Sequence, residues 1–129
     1  MAVNYNVVAR KNPLKQEEAP KFFASLNSKG RRNLRYLAHR IADKSSLNEI
    51  DVKAVLEGLI QVIPEILVDG YTVDLEEFGN FHLTCSSEPS ETADEVTQTR
   101  IKKVSIQFRP GKMVKDSINT IKFTREIVE

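Results

Sequence analysis

Between Asn48 and Gly70 the apolar residues Val52, Val55, Leu56, Leu59, Ile60, Ile63 and Leu67 recur at helical spacing. The stripe they form is too wide for a single packing partner, so a helix here needs cover from more than one side. The chain has 129 residues and a hydrophobic share of 40%, enough for one domain with a modest core. A second copy of the chain is therefore the natural source of the missing cover. Asn48 reads as the N-cap of this helix, with Asp51 three residues on as a weaker form of the capping box. Gly70 reads as its C′ residue, and Pro64 should kink it by removing one backbone hydrogen bond.

The rest of the chain divides around that helix. Residues 3–9 alternate and are rich in β-formers, and 21–26 is a second short strand; Asn12-Pro13 opens the loop between them. Asn33 caps a first helix that carries Leu34, Leu37, Ala38 and Ile41 and runs to about Lys44. After Gly70 the period changes to two: Tyr71, Val73 and Leu75 alternate with Thr72 and Asp74, and Phe78, Phe81 and Leu83 follow. Residues 86–98 are polar and contain Pro89. A strand over 99–109 places Val104, Ile106 and Phe108 on one face, Pro110-Gly111 breaks it, and residues 113–120 form a short helix. The expected class is α+β, with two N-terminal helices, a three-stranded antiparallel sheet with a long hairpin arm, a short C-terminal helix and extra N-terminal strands. Its divisions are 1–32 as a β extension, 33–120 as the main domain, and 121–129 as a last strand or tail.

Charge is segregated although its total is only +1. Residues 1–40 balance to +7, residues 41–95 to −11 and residues 96–129 to +5. A chain patterned this way can present a basic face despite a near-neutral sum. From Thr99 to Lys115 six bases occur without an acid: Arg100, Lys102, Lys103, Arg109, Lys112 and Lys115. Arg31, Arg32 and Arg35 near the start of the first helix make a second candidate rim, where helix N-terminal amides would assist in holding phosphate.

Other chemistries find little support. His39 and His82 lack the ligand spacing of a zinc site, and Cys85 has no neighbouring His to make it a nucleophile. The glycines are scattered rather than gathered into a phosphate loop, and Glu76-Glu77 point to opposite faces of a strand. The reading is of no enzyme, no cofactor, no metal and no small-molecule substrate. No apolar run approaches a membrane span, and Asn4, Asn6 and Arg10 interrupt any signal-peptide core. With one cysteine as well, a cytoplasmic address is expected.

Three segments resemble the HU/IHF histone-like family. Leu47-Asn48-Glu49-Ile50-Asp51-Val52-Lys53-Ala54-Val55-Leu56 is similar to the start of its second helix. Val73-Asp74-Leu75-Glu76-Glu77-Phe78-Gly79-Asn80-Phe81 resembles its L-x-x-F-G-x-F strand turn. Val104-Ser105-Ile106-Gln107-Phe108-Arg109-Pro110-Gly111-Lys112-Met113-Val114-Lys115 resembles its F-[KR]-x-G-K-x-[LV]-K segment. The pairing of the last two motifs is the specific part. The likeness covers roughly residues 33–120, and residues 1–32 look like the N-terminal strands of an extended HU-like subfamily.

The resemblance implies a nucleoid-associated homodimer that binds DNA without strong sequence preference, through phosphate contacts at Arg109, Lys112 and Lys115 among others. RNA is not excluded, because phosphate contacts are common to both. It also implies a core shared between subunits, with Leu56, Leu59, Ile63, Phe78, Phe81 and Phe108 as its members. Gly79 is expected to spare crowding of the phenylalanine rings. One departure stands out. The family's basic arm ending in Arg-Asn-Pro is replaced by residues 86–98, with Glu88, Glu91, Asp94 and Glu95 and no Lys or Arg. These acids repel phosphate, so weak binding through the base of the arm is expected. A protein-interaction or scaffold dimer with little DNA affinity is the competing reading.

Overall fold

The computed structural model describes residues 2–15 and 17–126. Its described elements are β1 (Ala2–Arg10), β2 (Lys21–Asn27), α1 (Leu34–Asp43), α2 (Glu49–Val68), β3 (Val73–Asp74), β4 (Gly79–Ser87), β5 (Ile101–Pro110), α3 (Lys112–Ile118) and β6 (Lys122–Arg125). They form two compact units. One comprises the chain up to Asn33 together with the chain from Ser117 onward; the other spans Leu34–Asp116.

In the first unit β1 lies between β2 and β6. β1 and β2 are an antiparallel hairpin in which Tyr5 opposes Leu26, Val7 opposes Ala24 and Ala9 opposes Phe22. Its connection is turned by Asn12, whose side chain accepts a hydrogen bond from the Leu14 N–H at 3.0 Å. β6 runs parallel to β1, with Val3 beside Phe123 and Tyr5 beside Arg125. Glu126 ties the same sheet together, accepting from Asn27 Nδ2 at 2.8 Å and from Asn4 Nδ2 at 3.3 Å.

In the second unit α1 and α2 pack against each other, and α2 packs on β3 and β4. The α2 termini form as their residues dictate. Asn48 Oδ1 accepts the Asp51 N–H at 2.8 Å, which satisfies one of the unpaired donors of the first turn. At the other end Gly70 takes φ 95°, the Gly70 N–H reaches the Leu67 carbonyl at 3.0 Å, and the Tyr71 N–H reaches the Ile66 carbonyl at 3.3 Å. That is a Schellman termination, and glycine meets its left-handed residue without steric cost. α2 continues as one α-helix through Pro64.

The architecture differs from the expected one in three respects. The helices are not N-terminal, because β1 and β2 precede them. The extra strands, with β6, make a second three-stranded sheet, separate from β3-β4-β5. The segment expected to be a last strand or tail supplies β6 to the free edge of β1, and residues 127–129 lie outside those described. The third difference is local. Alternation from Tyr71 to Leu75 predicts a strand, yet only Val73 and Asp74 pair, with Phe81 and Asn80. The Asp74 carboxylate accepts the Glu76 N–H at 2.8 Å and Glu76 turns to φ 57°, so a tight 3-10 turn over Glu76–Phe78 replaces the strand's end.

The described core is small. Ala38, Val52 and Leu67 are its buried apolar residues, all in the helical unit. Of the stripe on α2, Leu56 and Ile63 are half-buried, whereas Val55 is 66% exposed and Ile60 55%.

Candidate functional site

β4 and β5 form a long antiparallel ribbon whose register sorts its side chains by polarity. Residues directly opposed across such a pair share a face. Phe81 with Phe108, Leu83 with Ile106, and Cys85 with Val104 make one face, and Val73 of β3 joins it beside Phe81. Asn80 with Arg109, His82 with Gln107, Thr84 with Ser105, and Ser86 with Lys103 make the other. One face is thus apolar and the other wholly polar, with Arg109 at its base and Lys103 towards its tip. Six residues of strand put those two cations roughly 20 Å apart.

The base of the ribbon is set by rings and glycines. Phe108 lies between Phe78 and Phe81, with ring centroids 5.2 Å and 5.0 Å away and tilted contacts of the kind aromatic pairs prefer. Gly79 has φ 140°, and a Cβ there would meet the Arg109 carbonyl oxygen and the Phe108 ring edge. A Cβ on Gly111 would meet the Glu77 carbonyl. The ring that Gly79 spares across the ribbon is that of Phe108. The Gly111 N–H donates to the Phe78 carbonyl at 2.8 Å, so the start of α3 is tied to the turn before β4. That tie positions Lys112 and Lys115, both exposed on α3, next to the end of β5 that carries Arg109.

The six-base run does not act as one block. Arg109, Lys112, Lys115 and Lys103 are exposed at the ribbon and α3. Arg100 and Lys102 are engaged by an acid of the arm: Glu88 Oε2 lies 3.7 Å from Arg100 Nη1, and Glu88 Oε1 lies 3.6 Å from Lys102 Nζ. The Glu88 N–H also donates to the Arg100 carbonyl at 2.9 Å, just beyond a register shift between Ser86 and Ser87. Across the arm the chain between β4 and β5 forms short 3-10 turns at Ala93–Glu95 and Gln98–Arg100. The sequence flags the acids of this arm; the pairing of Glu88 with two particular cations is a matter of cross-strand register, which no local motif carries.

Of the second expected rim, Arg35 lies in α1, with its Nε 3.8 Å from Glu49 Oε1. Arg31 and Arg32 fall in the unit that ends at Asn33, so the three arginines are not members of one compact unit. Among the expected shared-core residues, Phe78, Phe81 and Phe108 come together at the ribbon base, and Leu56, Leu59 and Ile63 lie on α2. Phe78 and Phe108 remain 46% and 39% exposed in the single chain.

His82 and Asn80, both part-buried on the polar face, are joined by a 3.1 Å hydrogen bond between His82 Nδ1 and Asn80 Oδ1. His39 lies between Asp43 and Glu49, at 3.5 Å and 3.4 Å. Among the described residues no group of His, Cys, Asp and Glu is arranged to hold a metal ion, and no helix is long and apolar enough to cross a membrane.

Comparison with known proteins matches this geometry. Residues 1–125 match the family model described as an HU domain fused to wHTH, Ig, or glycine-rich motif. The chain is 31% identical over 90 residues to the integration host factor subunit alpha of Pseudoalteromonas atlantica, a match covering 68% of this chain and 92% of that protein. It is 31% identical over 85 residues to the DNA-binding protein HU of Thermus thermophilus, covering 64% of this chain and 87% of that one. Among solved structures it is similar to a Bacteroides vulgatus protein described as a candidate bacterial DNA-binding protein, with a TM-score of 0.64 and 11% identity. That likeness covers 96% of this chain, which spans about half, 47%, of the other. It is also similar to Anabaena HU in a co-crystal with DNA, with a TM-score of 0.54 and 21% identity over 69% of this chain and 99% of that one.

Proposed function

The chain belongs to the HU-HIG family, HU domains fused to wHTH, Ig, or glycine-rich motif, and from that premise we propose that it is a DNA-binding architectural protein working as a homodimer. The observation that carries the proposal is the two-faced ribbon. Its polar face bears Lys103 and Arg109 in one plane, with Lys112 and Lys115 beside its base. Cations spaced along an extended element suit the regularly spaced charges of a duplex backbone, and neutralising them releases counterions. Contacts of this kind position a protein on DNA without reading its sequence, so binding follows shape and deformability. Cytoplasmic residence with the nucleoid accords with that role.

Dimerisation is supported by what one chain leaves uncovered. Val55, Leu59 and Ile60 on α2 and Leu83, Val104 and Ile106 on the ribbon are all exposed, far beyond the scattered apolar residues of a typical monomer surface. A second copy offers the same surfaces in return, as a two-fold interface requires. Phe78, Phe81 and Phe108 would then close a core between subunits.

The decisive experiment is a mobility shift at low and moderate salt with Lys103, Arg109, Lys112 and Lys115 changed to Glu. Binding should weaken strongly at both salts; retention at wild-type strength refutes the interface. A second reading, a scaffold dimer with little DNA affinity, is favoured by Glu88, which occupies Arg100 and Lys102. Wild-type protein that passes through a DNA column at low salt would establish that reading instead.

A further inference from the structure

The charge of the two units is opposite to what the family likeness suggests. The unit built from residues up to 33 and from 117 onward carries nine Lys and Arg against four Asp and Glu, a balance of +5. Residues 34–116, which hold α1, α2 and the ribbon, carry ten against fourteen, a balance of −4. The strand sheet, not the helical unit, is the cationic part of the molecule.

Within the β1–β2 hairpin the cations lie at one end, whereas Lys122 and Arg125 of β6 pair with the start of β1. Arg10 and Lys21 are directly opposed in the register, on the face that also carries Val8 and Phe23. Like charges at opposed positions of an antiparallel pair destabilise it. Lys11 follows immediately. Arg10, Lys11, Asn12, Lys21 and Phe23 line a concavity of about 260 Å³, together with Glu18. The Arg10 guanidinium lies 5.9 Å from the Phe23 ring centroid, within cation–π range, so its position is held by the sheet. Glu18, the carboxylate at this concavity, is engaged by Lys15 at 3.6 Å. Among the described residues no carboxylate forms an ion pair with Arg10, Lys11 or Lys21. This contrasts with Arg35, Lys53, Arg100 and Lys102 of the other unit, each of which has one.

We infer that Arg10, Lys11 and Lys21 form a second phosphate-binding site, on the N-terminal sheet, for the phosphodiester backbone of nucleic acid. The inference rests on the DNA-binding reading above and locates part of it outside the HU-like unit. A phosphate seated among the three cations removes the repulsion between Arg10 and Lys21. The Asn12 side-chain amide at the same rim adds a neutral donor. The site explains how a chain whose ribbon unit is net acidic can still hold a polyanion.

The test uses the full chain with Arg10→Gln, Lys11→Gln and Lys21→Gln together, titrated against a short DNA duplex across a salt series. The parallel arm neutralises Lys103, Arg109, Lys112 and Lys115 in the same way. Denaturant midpoints check folding, and the first variant should unfold close to the wild type, because the relieved Arg10–Lys21 repulsion offsets the lost Arg10–Phe23 contact. The expected result is weaker binding and a plot of log affinity against log salt shallower by about two to three units, roughly one for each phosphate that is no longer neutralised. An unchanged slope in the first variant with a reduced slope in the second overturns this inference and leaves the ribbon reading intact. A reduced slope in the first alone upholds the sheet site and refutes the ribbon interface. No change in either variant refutes both.

Discussion

Glu88 grips Arg100 twice: its carboxylate lies 3.7 Å from the guanidinium, and its N–H donates to the Arg100 carbonyl at 2.9 Å. The same carboxylate reaches Lys102 at 3.6 Å. On the DNA-binding reading proposed above, this acid competes with phosphate for these two cations. Glu88→Gln should therefore strengthen DNA binding at low salt and steepen its salt dependence by about one unit for each cation released to phosphate. Fluorescence anisotropy with a labelled duplex across a salt series measures both. Binding no tighter than wild type would mean that Arg100 and Lys102 do not face DNA.

Gly79 is replaceable only at a cost. Its φ of 140° is a conformation that side chains avoid, and an added Cβ meets the Arg109 carbonyl oxygen and the Phe108 ring. Gly79→Ala should destabilise the fold by about 1–3 kcal/mol from backbone strain alone. Urea unfolding at fixed protein concentration checks it, and an unchanged midpoint would contradict the close packing at the ribbon base.

Phe108 touches both Phe78 and Phe81, so it is the member of the trio whose removal disrupts two ring pairs. Phe108→Ala should cost about 3 kcal/mol, the lower end of the range for a core phenylalanine. The effect should deepen on dilution if the rings also close a core between subunits. Unfolding curves at several protein concentrations separate the two parts.

Val55 and Ile60 offer a test of assembly that folding alone cannot mimic. Both are more than half exposed in the single chain, so Glu at either position should change a monomer's stability by no more than about 0.5 kcal/mol. In a dimer covered at α2, the same change buries an unpaired charge. Sedimentation equilibrium should show the wild type as a dimer at micromolar concentration and Val55→Glu or Ile60→Glu as a single subunit. A wild type that sediments as one subunit would refute the homodimer.

Asn48 caps α2 through a 2.8 Å bond to the Asp51 N–H. Asn48→Ala should lower stability by about 1 kcal/mol, whereas Asn48→Asp should be close to neutral. Thermal unfolding of the two variants side by side distinguishes removal of the cap from a general effect at this position.

Local chemistry made much of this protein legible from its residues. Asn48 and Gly70 delimit α2 because capping and left-handed termination depend on a few neighbouring atoms. Phe78-Gly79 and Phe108-Arg109-Pro110-Gly111-Lys112 mark the ribbon base because the spacing of a motif is a property of the chain before it folds. Where local signals competed, sequence periodicity misled: alternation after Gly70 is strand-like, but the Asp74 side chain captures the Glu76 N–H and ends the strand early. Tertiary pairing alone decided the rest. Register across β4 and β5 placed Lys103 and Arg109 on one polar face and brought Glu88 onto Arg100 and Lys102. Pairing of β6 with β1 made the last strand part of a second sheet, and the β1–β2 register set Arg10 against Lys21. Composition and short-range pattern specify which segments form helices or strands, because those preferences act over a few residues. Which charges meet depends on hydrogen-bond register between segments far apart in the chain, and only the folded arrangement fixes that register.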